Sequence, residues 1–188
     1  MERAVEKRRF EYATGRHFAR IALASMGYPA SPITTGTFRE PLWPKGIIGS
    51  ITHSQTLALV VVANKNKAFS GVGIDIETKN GVSSDFVRDL LTDRELTELR
   101  TRGAGWENDV TLIFSAKEAV FKAVNPITNL MIDFNELEIQ VDPHDRSFRA
   151  KYGGPNEINR IMNRGVGSHG LFEDHFVTFF AVPSHSPS

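Results

Sequence analysis

The sequence predicts a single domain of mixed α+β class on three observations: two long helical segments, strand-like segments between and after them, and a length of 188 residues without one cysteine. A chain of this size buries roughly 70% of its unfolded surface and needs neither disulfide nor structural zinc. The absence of cysteine excludes thiol catalysis, thiolate metal sites and CxxC redox chemistry, and fits a reducing cytosol.

Taken in order, Val5 to Met26 reads as a helix ended by Gly27 and Pro29, with Phe10, Ala13, Ile21, Leu23 and Met26 as its apolar surface. Arg9, Arg16 and Arg20, spaced i, i+7 and i+11, share a face. Ala30 to Lys45, with three prolines and Gly36, is loop or edge structure. Three strands follow, Ile47 to His53, Leu57 to Ala63 and Val72 to Glu77, the first two joined tightly through Ser54 and Gln55 and the last two by a polar turn over Asn64 to Lys67. Ser84 is a cap for a helix through Leu91, and Thr92-Asp93-Arg94-Glu95 is a capping box for another to about Arg100, with a loop from Thr101 to Gly105. Asn108 or Asp109 to Val124 is a long helix stopped by Asn125-Pro126. The remainder is β-rich: Leu137 to Val141, Ser147 to Tyr152 and His175 to Val182.

Basic and acidic residues balance at 22 each, but unevenly. Residues 1–50 hold 8 basic and 4 acidic side chains, and residues 51–150 hold 11 and 15. That distribution suits an anionic ligand near the first part and a cation near the middle. Nucleic-acid binding calls for a larger basic excess. The longest strongly apolar run, Leu57 to Ala63, is seven residues, far short of the roughly 20 that span a bilayer. The charged start, Met1 to Phe10, lacks the apolar core of a signal peptide, so a cytoplasmic location is expected.

Three segments carry candidate chemistry. In Gly71-Val72-Gly73-Ile74-Asp75-Ile76-Glu77, strand alternation puts Asp75 and Glu77 on the face with the two glycines, where a bulky ligand could approach bare backbone. Two adjacent carboxylates resist double ionisation unless a cation separates them, and a hard ion such as Mg2+ takes one or two carboxylates plus phosphate oxygens. A wet edge strand is the bland alternative. In Phe114-Ser115-Ala116-Lys117-Glu118-Ala119-Val120-Phe121-Lys122, the apolar residues hold the helix in the core and leave Lys117, Glu118 and Lys122 at its margin. Glu118 and Lys122 are an i, i+4 pair, which alone is an ordinary surface contact. Beside Asp75 and Glu77, Glu118 would be a third carboxylate with two ammonium groups, suited to a metal and a phosphate. In Gly49-Ser50-Ile51-Thr52-His53-Ser54, the GxSxG elbow is absent and no Asp is placed to orient His53, which argues against a serine hydrolase; Thr52 and His53 are phosphate donors instead.

Together, in this order, these segments resemble the phosphopantetheinyl transferase superfamily, specifically its surfactin-type group and the enterobactin-synthetase component D branch. The matching residues are Gly73-Ile74-Asp75-Ile76-Glu77 and Phe114-Ser115-Ala116-Lys117-Glu118 through Lys122, with Pro41-Leu42-Trp43-Pro44, Gly49-Ser50-Ile51-Thr52-His53, and Gly15-Arg16 with Ala19-Arg20 upstream. They run from about Arg9 to Ala123; beyond that the match is loose. Fewer residues precede the Arg-rich helix than the branch normally has, and Glu40 stands where surfactin-type members place a basic residue, leaving Arg39 as its substitute.

The resemblance implies two similar α/β halves, about 1–70 and 71–188 of a single domain 1–188, with the active site in the cleft between them. It implies Mg2+-dependent transfer of the phosphopantetheine arm of coenzyme A to a serine of an apo acyl or peptidyl carrier protein, releasing adenosine 3',5'-bisphosphate, in siderophore, nonribosomal peptide or polyketide synthesis. Asp75, Glu77 and Glu118 would bind the metal, and Glu118 would also activate the serine. Lys122 would meet the pyrophosphate, assisted by Lys117. Arg16, Arg39, Thr52 and His53 would hold the nucleotide end, with Arg9 and Arg20 as further contacts. One chain supplying both walls of a cleft predicts a monomer. The alternatives are another Mg2+-dependent phosphoryl or nucleotidyl enzyme, and a non-catalytic module that binds coenzyme A or a carrier protein.

Overall fold

A computed structural model of the chain describes residues 2–29, 31–37, 39–65, 68–79, 81–102 and 106–184, with backbone alone for 2–5, 7, 84 and 102. The expected turn at 64–67 and loop at 101–105 fall partly outside these residues, as does the capping role of the Ser84 side chain.

The first half opens with α1 (Glu2–Ser25). Its end is a Schellman motif: Gly27 sits at φ 81°, its N–H bonds the Ala24 carbonyl, and the Tyr28 N–H bonds that of Leu23. The buried stripe of α1 is Gly15, Ala19 and Leu23, whereas Phe10 and Ile21, expected to pack, are 73% and 53% exposed. Small residues face inward because the helix lies close to the sheet: a methyl on Gly15 would collide with the Ile51 Cγ2. Two short strands, β1 (Thr34–Thr35) and β2 (Pro41–Leu42), form a ribbon within the expected loop. The hairpin of β3 (Ile47–His53) and β4 (Ala58–Asn64) follows, in continuous register from Ile47↔Asn64 to His53↔Ala58.

The second half is built on β5 (Phe69–Thr78). The expected division at 70/71 therefore falls inside a strand. After it come α2 (Val87–Leu90), α3 (Asp93–Arg102), α4 (Trp106–Thr128), β6 (Leu137–Asp142), β7 (Ser147–Tyr152), α5 (Asn156–Asn163), β8 (Val166–Phe172) and β9 (His175–Pro183). The sheet order is β5-β9-β8-β7-β6, antiparallel throughout. The capping box at α3 is present: the Thr92 N–H donates to Glu95 Oε2 at 2.8 Å and the Glu95 N–H to Thr92 Oγ1 at 3.2 Å. Pro126, expected to stop α4, lies within its last turn. The Asn125 amide bonds the Leu130 carbonyl, and Asn129, at φ 54°, donates its N–H to the Asn125 carbonyl, so the helix closes one turn late.

Each half sets a long helix on antiparallel strands, and the second adds β6 to β8, α2, α3 and α5. One core lies between α1 and β3–β4 around Ala19, Leu23, Ile33 and Ile47. A larger one lies between α4 and the five-stranded sheet, including Val120, Val124, Phe148 and Phe180. Ile48, Val72 and Ala181 join the halves. Between β3 and β5 the Ile74 N–H also donates to Ser50 Oγ at 3.2 Å. Among the described residues no helix is long and apolar enough to cross a membrane.

Candidate active site

The site begins with the glycines of β5. A methyl at Gly71 would run into the Ala123 carbonyl oxygen, and one at Gly73 into that of Ala119. These glycines admit the backbone of α4, not the bulky ligand expected from the sequence. Their face of β5 is therefore covered rather than wet, and α4 carries Glu118 and Lys122 onto Asp75.

Asp75 is 3% exposed. Its Oδ1 accepts from Lys122 Nζ at 2.6 Å and from Thr52 Oγ1 at 2.9 Å, while its Oδ2 is buried without a partner. Lys122 Nζ also stands 3.7 Å from Glu118 Oε2 and 3.5 Å from both Thr52 Oγ1 and the Ile74 carbonyl. Burial, with Asp75 and Glu118 nearby, pushes Glu77 up to about 7 against the opposing pull of Lys122. Burial also raises Glu118, with Lys122 opposing and Asp75 adding to the rise. Lys122 itself is raised: burial disfavours its charge, but Asp75, Glu118 and Glu77 outweigh that. The group is an anionic pocket with one ammonium inside it. As the side chains stand, no three acidic or imidazole groups among the described residues are gathered to hold an ion.

The pocket opens into a cleft of two adjoining chambers. One, of about 250 Å3, is lined by Arg39, Trp43, Ser50, Glu118, Phe121 and Lys122 among others. The other, of about 340 Å3, shares Trp43, Gly49 and Lys122 and reaches Lys65 and Asn129. A methyl at Gly49 would strike the Trp43 ring, so glycine lets the indole form the cleft wall. Arg39 is exposed at φ 66°. A further cavity of about 340 Å3, lined by Arg94, Glu98, Asp109 and His169 among others, includes none of the site carboxylates.

Other expected residues stand apart or act differently. Lys117 is not at the helix margin: it is fully buried, donating to Glu95 Oε2 at 2.6 Å and to the carbonyls of Leu90 and Phe134 at 2.7 and 2.8 Å. Residues 117 and 118 differ by about 100° around a helix, so only one of them can face the cleft. Thr52 is 5% exposed, and its single hydrogen goes to Asp75 rather than outward to a phosphate. His53, at the end of β3, lies 3.8 Å from Glu11 Oε2. Arg16 reaches the Thr34 carbonyl and Thr35 Oγ1 at 3.4 and 3.2 Å, its guanidinium 4.8 Å from the Tyr12 ring centroid. Arg9 and Arg20 are exposed on α1. The cleft positions of Lys65 and Asn129 carried no sequence signal, since neither belongs to a motif whose spacing announces a ligand; Ser50 and Phe121 lie within the segments singled out above, but nothing in their spacing foretold the Ser50 link to Ile74 or the place of Phe121 in the cleft wall.

Two family models match the chain: that of the 4'-phosphopantetheinyl transferase N-terminal domain over residues 1–63, and that of the 4'-phosphopantetheinyl transferase superfamily over residues 71–175. The 4'-phosphopantetheinyl transferase Svp of Streptomyces mobaraensis is 41% identical over 188 residues, 96% of this chain and 74% of that protein. The 4'-phosphopantetheinyl transferase PptT of Mycobacterium tuberculosis is 34% identical over 164 residues, 87% of this chain and 69% of that protein. Enterobactin synthase component D of Escherichia coli is 34% identical over 143 residues, 75% of this chain and 65% of that protein. With the Asp75, Glu118 and Lys122 group in a cleft between the matched segments, these relationships show that the chain belongs to the 4'-phosphopantetheinyl transferase superfamily.

Proposed function

We propose that this chain transfers the 4'-phosphopantetheine arm of coenzyme A to a serine hydroxyl of an acyl or peptidyl carrier protein, releasing adenosine 3',5'-bisphosphate. The observation that carries the reading is the convergence of Glu118 and Lys122, which line the cleft, with the buried Asp75 bonded to Lys122 beneath them, in a chain of this superfamily. Kinship with enterobactin synthase component D supports a role in siderophore, nonribosomal peptide or polyketide synthesis. The protein acts as a cytoplasmic monomer, without nucleic acid or membrane.

Asp75, Glu77 and Glu118 would hold Mg2+, and the site fits it: the donors are hard oxygens, and Asp75 Oδ2 is buried with nothing to bond. Bound there, the ion supplies neutralisation of the charge that grows on the leaving phosphate. The side chains do the rest. Arg39, at the mouth of the cleft, meets the nucleotide phosphates, and Lys122 meets the pyrophosphate from the floor. Glu118, raised by burial, takes the serine proton as the hydroxyl oxygen bonds the phosphorus and the bond to the bisphosphate breaks.

Incubation with Mg2+, coenzyme A and a panel of apo carrier domains, followed by intact mass, tests this. A gain of one phosphopantetheine arm, lost on chelation and in Asp75→Ala and Glu118→Ala, is expected. Full activity in either variant would sink the site assignment. Coenzyme A binding without a mass gain on any carrier would leave a binding module.

A further inference from the structure

We infer that Lys122 is a tethered counter-cation, its ammonium neutralising the Asp75 carboxylate that a divalent ion must use, so that the ion binds tightly only when Lys122 withdraws. The inference rests on the reading of Asp75 as an ion ligand. Lys122 Nζ has four oxygens around it: Asp75 Oδ1 at 2.6 Å, Thr52 Oγ1 and the Ile74 carbonyl at 3.5 Å, and Glu118 Oε2 at 3.7 Å. That is the all-oxygen environment a hard cation takes. It also explains why the carboxylates, as they stand, are not gathered for an ion: an ammonium already serves them.

An ion taken by the free Asp75 Oδ2 would stand within a few ångströms of the ammonium on Oδ1, and like charges that close in a half-buried site repel strongly. Lys122 has somewhere to go. Its side chain is 26% exposed, it borders both chambers of the cleft, and its four-carbon stem swings without moving α4. Withdrawn into the cleft, the ammonium is released toward whatever anion lies there. Entry of the ion and capture of an anionic substrate are then two consequences of one side-chain movement. The apparent affinity for the ion alone is lowered by the fraction of molecules in which Lys122 sits on Asp75.

The test is Mn2+ binding to the full chain without coenzyme A, read as free Mn2+ by electron paramagnetic resonance, since oxygen ligands accept either ion. Lys122→Met removes the ammonium and keeps the stem, and Lys122→Gln is the second variant if the first does not fold. Arg39→Gln removes a cleft cation that does not touch Asp75. The expected result is Mn2+ binding roughly tenfold tighter in the Lys122 variant, with a change of about twofold or less in Arg39→Gln. Equal or weaker binding without Lys122 would overturn the inference, as would the same gain from Arg39→Gln, which would assign the effect to general charge. Asp75→Asn separates the two layers. If it abolishes binding while the Lys122 variant matches the wild type, only the counter-cation role fails. If it leaves Mn2+ binding unchanged, Asp75 is not an ion ligand and the reading beneath fails with it.

Discussion

Lys117 and Glu95 form an ion pair of 2.6 Å in which the two side chains are 0% and 3% exposed. Each partner is otherwise satisfied: Lys117 by the Leu90 and Phe134 carbonyls, Glu95 by the N–H groups of Thr92 and Ile139. The pair thus ties α4 to the start of α3, the end of α2 and the start of β6. Removing one member of such a pair leaves an uncompensated buried charge, and Lys117→Met is expected to cost about 3–5 kcal/mol in urea unfolding. Adding Glu95→Gln, which removes that charge, should cost less than the sum of the single changes. Below its melting temperature Lys117→Met should keep the coenzyme A affinity of the wild type. A roughly tenfold loss by calorimetry would return Lys117 to the cleft.

The pH dependence of the metal-free protein follows from Glu77 and Glu118. Both are raised by burial, Glu77 from 4.5 to about 7. The folded chain therefore binds these protons more tightly than the unfolded one. That contribution is complete below the unfolded carboxylate value and is lost as pH rises through the folded one. The melting temperature should accordingly fall between about pH 5 and pH 8, and Glu77→Gln should flatten the slope. A melting temperature that rises over this interval, or a slope unchanged in Glu77→Gln, would contradict the assignment.

Much of the fold was legible because local chemistry and tertiary structure agree. The Thr92 to Glu95 box and the Gly27 stop describe contacts made within a few residues. The misses have nonlocal causes. β8 carries Gly167 and Gly170, which weaken any strand pattern, yet Gly167 is there because the Phe148 ring lies where its side chain would be. α5 is short, and its buried residues are only Ile158 and Met162. In the site, Asp75 and Glu118 were legible as chemistry, and strand alternation placed Asp75 correctly. Lys122, four residues from Glu118, shares its face and joins them while Lys117, about 100° away, does not, and which face of α4 meets β5 depends on the rotation of the helix about its axis. That rotation is set by the contact of Ala119 and Ala123 with Gly73 and Gly71, which no helical period reveals.

That contact makes Gly73→Ala a sharp test of how the site is assembled. The added methyl would meet the Ala119 carbonyl oxygen and lie 2.8 Å from the Ala123 nitrogen, both helix backbone that cannot rotate away. Overpacking of this kind costs about 1–3 kcal/mol. Because the relief is for α4 to lift from β5, Glu118 and Lys122 should separate from Asp75. Transfer activity is expected to fall further than the folded fraction does, at a temperature where the variant is folded. Activity that tracks the folded fraction alone would mean the helix position is not what assembles the site.

Thr52 offers a last test, of whether its hydroxyl serves the carboxylate or the substrate. Its proton points to Asp75 Oδ1 at 2.9 Å, and Lys122 is its other neighbour at 3.5 Å. Thr52→Val keeps the shape and removes the donor. A hydrogen bond to a charged acceptor contributes about 1.5–3 kcal/mol, and the loss should fall at the low end because Lys122 continues to serve the same oxygen. Thr52→Ser restores the donor and should restore stability. If the hydroxyl acts on Asp75, Thr52→Val should leave the affinity for adenosine 3',5'-bisphosphate in the absence of metal unchanged. Weaker binding of the bisphosphate in Thr52→Val, recovered in Thr52→Ser, would show instead that the hydroxyl turns to the phosphate when the cleft is filled.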